Sequence, residues 1–375
     1  MPEWTEYRLG DLLEYEQPTA YIVESTDYND SYSIPVLTAG KSFILGYTNE
    51  TEGVFDKLPV IIFDDFTTAT QYVNFPFKVK SSAMKILHVN RDLVLPKYIY
   101  YRMQIIQHDC GTHKRYWIQE YSRIKVKIPP LQEQERIVAR IEEMFSQLDA
   151  GTETLLKTKA QLAVYRQAVL KEAFSSCVVK KPVRELSSLV TSGSRGWAAF
   201  YSDNGARFIR ITDLTRTGIE LKNNSIQYVL LPEKAEGKRS RLQSGDVLVS
   251  ITADLGSIAL IPETIGEAYI NQHIAMIRFN NPEHGKLMAW YLRSEWGQKD
   301  LLKNKRGGGK LGLGLDDIRD TPVPVVTNEE ADRILSYIDS RLSICDSIEQ
   351  TTNLTLLQTE AMRQSILKKA FEGEL

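Results

Sequence analysis

A glycine run that contains a lysine, "RGGGKLGLG" at residues 306–314, has the composition of a phosphate-binding loop. Glycines let backbone N–H groups approach a phosphate, and lysine supplies a cation. A Walker loop is excluded because Lys310 is followed by Leu311 and not by Ser or Thr. A dinucleotide fingerprint is excluded because residues 294–305 predict a preceding helix, not a strand. The run predicts a basic loop near a phosphate backbone, and the alternative is a connector with solvated lysines.

Two carboxylates that follow an apolar stretch, Asp64 and Asp65 in "IIFDDF", could bind a metal or act as acid and base. No histidine or third carboxylate stands at a useful spacing, so we expect turn residues at the end of a strand. Glu236 and Lys238 form the Glu-x-Lys pattern of a metal-dependent nuclease. Because they lie in the charged segment "PEKAEGKRSR", solvated side chains are the favoured interpretation.

Zinc is the remaining possibility, since His108, Cys110 and His113 form a His-x-Cys-x-x-His spacing. A fourth ligand is missing from this pattern. The sequence also lacks a Gly-x-Ser-x-Gly elbow and the Asn/Asp-Pro-Pro-aromatic motif with which methyltransferases hold an extruded base. The sequence therefore predicts neither a catalytic site nor a metal site.

The composition of the 375 residues is that of a globular protein with two or three domains: 42% are hydrophobic, 25% are charged and the net charge is −2. We expect no membrane span and no signal peptide, because no apolar run approaches about 20 residues and the N-terminus is acidic. Three scattered cysteines, Cys110, Cys177 and Cys345, suit a reducing cytoplasm. Residues 179–325 are the one basic segment, with 21 basic and 16 acidic residues.

An internal repeat organises the chain. "RQAVLKEAF" at residues 166–174 returns as "RQSILKKAF" at residues 363–371, with six of nine positions identical and an offset of 197. Each nonapeptide ends a stretch of about 44 residues without an internal proline. Good helix starts precede both stretches: Pro129-Pro130 before the first, and the capping-box spacing from Thr327 to Glu330 in the second. The repeat predicts two long, related helices.

Apolar residues at heptad-like spacing give each helix a seam that must be buried against another helix. The obvious partner of each helix is the other, which predicts an antiparallel coiled coil. The predicted seam residues are Ile141, Leu148, Leu155, Leu162 and Val169 in the first helix, and Ile338, Leu342, Cys345 and Ile366 in the second.

The segments before the helices contain short strands and an aromatic helix, which predicts an α+β fold. The predicted organisation is a first domain at 1–128, a helix segment at 129–178, a second domain at 179–325 and a helix segment at 326–375. The two domains differ far more than the helices do. Divergent domains on a repeated frame indicate two readers with different targets.

This order of domains and helices, the junction "IPPLQEQERIVARIEEMF" and the repeated "LKxAF" resemble the specificity subunit of type I restriction–modification systems. The second junction, "VPVVTNEEADRI", departs from the pattern because it lacks the Glu-Gln pair. The resemblance implies a non-catalytic cytoplasmic protein whose two target recognition domains each read half of a split DNA site. It also implies two methyltransferase subunits that bring S-adenosylmethionine, and restriction subunits that use ATP and Mg²⁺, in defence against phage.

Base edges are read by polar, charged and aromatic side chains, and phosphates are contacted by loop lysines and arginines. A 44-residue helix is about 66 Å long, which limits the unread gap between two half-sites to about 20 base pairs. The candidate DNA contacts are Lys41, Thr68, Gln71, Lys114, Arg115 and Tyr116 in the first domain, and Arg207, Arg210, Lys303, Lys305, Arg306 and Lys310 in the second.

Two other classes of protein stay open from the residues alone. One is a stand-alone metal-dependent nuclease that uses Glu236 and Lys238, and the other is a coiled-coil adaptor that binds only protein. Metal-dependent cleavage of DNA by the isolated chain would favour the first. Partner assembly without any DNA-dependent effect of changing Arg306 and Lys310 would favour the second.

Overall fold

The computed structural model describes residues 4–38, 43–107, 115–231, 240–306 and 311–375. The chain divides into two units. The first unit contains Met1–Leu155 and Leu354–Leu375, and the second contains Leu156–Asn353. In the described ranges, no helix is long and apolar enough to span a membrane.

The first domain is built from two small sheets and a two-stranded ribbon. Its strands run in the orders β2-β8-β5-β6, β4-β3-β7 and β1-β9, and all pairs are antiparallel except β3 with β7. The elements are β1 (Thr5–Arg8), α1 (Leu9–Leu12), β2 (Leu13–Glu16), β3 (Ile34–Leu37), β4 (Ile44–Thr48), β5 (Val60–Asp64), β6 (Thr70–Val73), β7 (Lys78–Val79), β8 (Met84–Val89), α2 (Pro96–Met103), α3 (Tyr116–Gln119), β9 (Lys125–Ile128) and the long helix α4 (Leu131–Ala173).

The second domain has sheets in the orders β11-β18-β15-β16 and β12-β14-β13-β17, with the ribbon β10-β19. The elements are β10 (Lys180–Pro182), α5 (Val183–Leu186), β11 (Ser187–Ser192), β12 (Tyr201–Ser202), β13 (Ala206–Ile209), β14 (Gln227–Val229), β15 (Val247–Ser250), β16 (Ile258–Leu260), β17 (Ala268–Ile270), β18 (Ile274–Phe279), α6 (Gly285–Arg293), α7 (Glu295–Leu301), α8 (Leu315–Asp320), β19 (Pro322–Pro324) and the long helix α9 (Asn328–Glu372).

The two domains share one topology although their sequences diverge. The order β2-β8-β5-β6 corresponds strand by strand to β11-β18-β15-β16, and the parallel pair β3-β7 corresponds to β13-β17. The second domain adds β12 and α7. Strands β5 and β15, at the centre of each main sheet, are buried at every residue and apolar up to their last residues, Asp64 and Ser250, as expected of strands covered on both faces. The predicted α+β fold is confirmed.

Both long helices start where their capping signals predict. Helix α4 begins directly after Pro130. At the start of α9, the Thr327 amide donates to Glu330 Oε2 at 2.9 Å and the Glu330 amide donates to Thr327 Oγ1 at 3.3 Å, which is the predicted capping box. The helices lie inside the predicted segments 129–178 and 326–375.

Within the first unit, the start of α4 packs antiparallel to the end of α9. The Arg136 guanidinium donates to the Leu375 carbonyl, and further along α4 Asp149 accepts from Arg363, which comes earlier in α9. The buried residues of the two helices in this core are Ile137, Val138, Ile141, Leu367, Ala370 and Phe371.

Within the second unit, the end of α4 packs antiparallel to the start of α9. Lys159 donates to Asn353 at 2.9 Å, and seven residues later Arg166 donates to Asp346, seven residues earlier in α9. Of the predicted seam residues, Leu148 and Leu155 are half-buried. The others are buried: Ile141, Leu162, Val169, Ile338, Leu342, Cys345 and Ile366.

Candidate DNA interface

A tight turn joins β5 to β6 in the first domain, and Asp64 builds it. Its carboxylate accepts hydrogen bonds from the amides of Phe66 and Thr67, at 2.9 and 3.4 Å, and from the Thr67 hydroxyl at 2.7 Å. The next residue, Thr68, takes the left-handed conformation with φ of 59°. Asp64 is thus a turn residue at a strand end, as predicted.

The equivalent turn between β15 and β16 holds Ala253 at φ of 57°. In the part of the chain that the structure describes, Thr68 and Ala253 are the non-glycine residues with positive φ. Side chains with a Cβ are strained in this conformation, and such strain is concentrated at functional sites. Asp254 accepts from Arg216 Nε at 2.7 Å and from the Ser257 hydroxyl at 2.6 Å, and these bonds, Arg216 first, lower its pKa.

The chain beside the basic candidates of each domain, directly after Arg115 in the first and within the glycine run at 306–314 in the second, is bonded to these turns. In the first domain, the Tyr116 amide donates to the Asp65 carbonyl at 3.0 Å and the Trp117 amide donates to Asp65 Oδ1 at 2.8 Å. In the second domain, the Leu313 amide donates to the Ile251 carbonyl at 2.9 Å. Tyr116 and Leu313 are separated by the repeat offset of 197. Both domains therefore bring a basic segment beside a strained turn.

Among the first-domain candidates, Gln71 is exposed on β6, Arg115 is exposed before α3 and Thr68 is half-buried in the turn. Tyr116 needs a correction. Its side chain is 0% exposed and belongs to the interior of the domain, which argues against the predicted contact with a base. Lys41 and Lys114 lie outside the described residues.

Among the second-domain candidates, Lys303, Lys305 and Arg306 are exposed after α7. The amide and carbonyl of Arg306 bond to Gly312 at 3.0 and 2.8 Å, and its guanidinium donates to Asp317 at 3.0 Å. This pairing sets the base of the glycine run. Lys310 lies outside the described residues.

Among the described residues, no hydrogen bond joins Arg207 or Arg210 to the turn between β15 and β16. They bond instead to the segment at 222–225: Arg207 donates to Asn223 at 2.8 Å, and Arg210 donates to the Ser225 hydroxyl at 3.1 Å. Sequence reasoning missed two arginines that do lie at the turn, Arg216 and Arg293. Neither stands in a charge run, so no local pattern marked them.

The structure offers no metal-binding group among the described residues, in which no three His, Cys, Asp or Glu side chains come together. Asp65 instead faces the buried Lys85 amine at 3.6 Å, a structural ion pair. The nuclease pair Glu236 and Lys238 lies outside the described residues, as does the zinc-like set at 108–113.

The fold and these surfaces define a class: a doubled α+β scaffold on two antiparallel helices, with a basic segment beside a strained turn in each domain. The family model described as "Type I restriction modification DNA specificity domain" matches residues 1–162 and 191–358. The chain belongs to this family, the specificity subunits of type I restriction–modification systems. It is therefore a specificity component and not a catalytic subunit.

Individual relatives agree with this membership. The EcoR124I/EcoR124II specificity subunit of Escherichia coli is 33% identical over 368 residues, which cover 93% of this chain and 88% of the relative. The EcoBI specificity subunit of Escherichia coli is 25% identical over 279 residues, covering 66% of this chain and 58% of the relative.

One solved structure shows the same fold over the whole chain. It comes from work on the complex assembly and conformational transition of a type I restriction–modification system. The TM-score is 0.71 at 19% identity, and the match covers 100% of this chain and 99% of the other.

Proposed function

We propose that this chain reads a bipartite, asymmetric DNA site, with one half-site for each domain. The observation that carries this proposal is the recurrence of one arrangement in both domains with unlike residues at equivalent positions. Thr68 in the first turn corresponds to Ala253 in the second, and Arg115 corresponds to Gly312 at the offset of 197. Two domains with the same geometry and different side chains are suited to recognise two different DNA sequences.

The repeat also supports two equivalent docking places for one kind of partner, the methyltransferase subunit. Both helices carry exposed apolar side chains: Leu156, Val164, Tyr165, Leu354, Leu357 and Met362. In this proposal, S-adenosylmethionine, ATP and Mg²⁺ act in the methyltransferase and restriction subunits. The names of the relatives, specificity subunits of type I restriction enzymes, support such an assembly.

The direct test is to purify the chain with its methyltransferase partner and to map adenine methylation on genomic DNA. We expect two short specified sequences of different composition separated by an unspecified gap. A contiguous site, or no sequence-specific methylation, would overturn the proposal.

A domain exchange tests which residues read which half. Replacing residues 179–325 with the second domain of another family member should change one half of the methylated site and leave the other half and the gap as they were. A change in both halves would contradict independent reading by the two domains.

A further inference from the structure

The guanidinium group of Arg293, the last residue of α6, has hydrogen-bond donors that no acceptor in the described part of the chain satisfies. Its Nε and Nη1 are buried and have no hydrogen-bond partner among the residues that the structure describes. Folded proteins satisfy nearly all buried donors, because an unpaired one loses its bonds to water and gains nothing in return. The side chain is thus suited to an acceptor that the described residues do not supply.

The position of Arg293 is set by Gln298 on α7. The Gln298 side-chain amide donates to the Leu292 carbonyl at 2.8 Å and to the Gly256 carbonyl at 2.9 Å. Because Leu292 precedes Arg293 and Gly256 lies in the turn between β15 and β16, this bridge fastens the end of α6 to the strained turn. Arg293 therefore lies at the candidate DNA interface of the second domain.

The charged side chains around the Arg293 guanidinium have a net positive charge. Arg216 and Arg293 lie near a single carboxylate, Asp254, whose two oxygens already accept from Arg216 and Ser257. Burial lowers the pKa of Arg293, and the neighbouring Arg216 cation acts in the same direction. Because the two arginines share one carboxylate that already accepts other hydrogen bonds, they favour the binding of a further anion with several acceptor oxygens.

The first domain has a neutral, satisfied residue at the corresponding place. Gln104 follows the last residue of α2 and donates from its side-chain amide to the Thr70 carbonyl at 3.4 Å, at the end of the β5–β6 turn. In the described part of the first domain, no buried lysine or arginine nitrogen lacks a hydrogen-bond partner. The contrast agrees with the excess of basic residues in the second domain alone.

We propose that Arg293 and Arg216 form an anion site that binds one backbone phosphate of the DNA at the second half-site. This inference rests on the proposed DNA-reading function and adds a positioning contact to it. A phosphate contact fixes the register of the domain on the duplex and carries no base information of its own.

The test uses the complex of this chain with its methyltransferase partner and measures DNA affinity at several salt concentrations. Arg293→Gln should reduce the slope of log affinity against log salt by about 0.9, the value for one phosphate contact. The methylated sequence should stay the same. Arg341→Gln removes an equal charge from α9, where Arg341 lies over the Tyr337 ring, and should keep the wild-type slope.

The outcomes separate this inference from the proposed function. A wild-type complex without specific methylation overturns the proposed function, whereas specific methylation with an unchanged slope in Arg293→Gln overturns only the phosphate site. A lower melting temperature with an unchanged slope would assign Arg293 to packing. Inorganic phosphate at constant ionic strength should not stabilise the wild type; stabilisation lost in Arg293→Gln would assign the site to free phosphate instead of DNA.

Discussion

Arg166 donates a hydrogen bond from Nη2 to Asp346 Oδ1 at 2.6 Å, from one long helix to the other. Its equivalent 197 residues later, Arg363, donates to Asp149, and Asp149 and Asp346 are themselves 197 residues apart. Two copies of one helix packed antiparallel make the same contact twice, once in each unit. Each arginine opens one of the repeated nonapeptides. Each copy of the repeated helix therefore contains both the arginine and the aspartate of the pair that joins the two helices.

Arg166→Gln should lower the free energy of unfolding by about 1.5–3 kcal/mol, the contribution of hydrogen bonds to charged groups. The Arg166 side chain is only 13% exposed and also bonds to Glu349 at 2.9 Å, and glutamine cannot neutralise both carboxylates. Urea denaturation measures the loss. Arg140→Gln is the matched control, because Arg140 forms an exposed pair with Glu143 within α4, and it should cost less than about 0.5 kcal/mol. Equal losses would contradict the assigned role.

The phenylalanines that end the nonapeptides hold each helix end to a domain. Phe174 packs edge-on against Tyr291 of α6, with ring centroids 5.3 Å apart, and Phe371 packs in the same way against Tyr98 of α2 at 5.2 Å. Phe174→Ala and Phe371→Ala should each cost about 3–4 kcal/mol, because both side chains are buried. Native-state hydrogen exchange should show loosening of the second unit for Phe174→Ala and of the first unit for Phe371→Ala.

The control for this pair is Val164→Ala, which truncates an exposed side chain on α4 and should change stability by less than about 0.5 kcal/mol. Equal loosening of both units in either phenylalanine variant would count against separate anchoring.

The helices were predictable from sequence because their signals are local. A proline pair, a capping box and a heptad spacing each specify a helix start or face within a few residues. The common topology of the two domains could be predicted only in part from the sequence. Leu13 and Ser187, which begin β2 and β11, are 174 residues apart, whereas Lys125 and Pro322, which begin β9 and β19, are 197 apart. Insertions between them shift the offset and hide the correspondence.

The site was less predictable because it depends on contacts between distant segments. Arg293 reaches the second turn only through the folding of α6 and α7 against it. Tyr116 carries the chemistry of a base contact, but its aromatic ring contributes to the core. The left-handed conformation of Thr68 and Ala253 has no sequence signal, since neither residue favours it.

Thr68→Gly should separate stability from recognition. Glycine removes the strain of the left-handed conformation, worth about 1–2 kcal/mol, against about 0.5–1 kcal/mol of added chain entropy, so stability should stay the same or rise slightly. The freed turn should relax base discrimination in the first half of the methylated site only. Ala253→Gly should relax the second half only. Methylation mapping of both variants checks this, and relaxation of the wrong half would refute the assignment of the turns.

Glu50 predicts a pH dependence of stability in the first domain. The Ser25 amide donates to it at 2.9 Å and Lys78 Nζ lies 2.9 Å away, and these contacts, the Ser25 bond first, lower the pKa of Glu50. A lowered folded-state pKa contributes stability above the unfolded value, near 4.3, and loses it as the pH falls through the folded value. Glu50→Gln should therefore cost about 1.5–3 kcal/mol at pH 7, where Lys78 loses its anionic partner and keeps only the Glu52 carbonyl, and progressively less below about pH 4.

The measurement is urea denaturation of the wild type and of Glu50→Gln between pH 3 and pH 7, in steps of about one pH unit. Glu14→Gln is the control, because Glu14 is an exposed residue of β2. A difference between wild type and Glu50→Gln that stays constant across this range would rule out the linkage.

A matched insertion tests the helices as a spacer. Both α4 and α9 run through both units, so seven residues added after Leu155 and seven after Asn353 lengthen the two helices together. Seven residues add about 10 Å and turn the helix by only about 20° from its original phase, so the pairs on either side can keep their faces. The mapped gap should lengthen by at most about three base pairs while both half-sites stay the same.

The control is the insertion in α4 alone. It should destabilise the protein, because only one helix of the pair becomes longer and the contacts between α4 and α9 lose their register. A longer helix pair with an unchanged gap would show that the helices do not set the spacing.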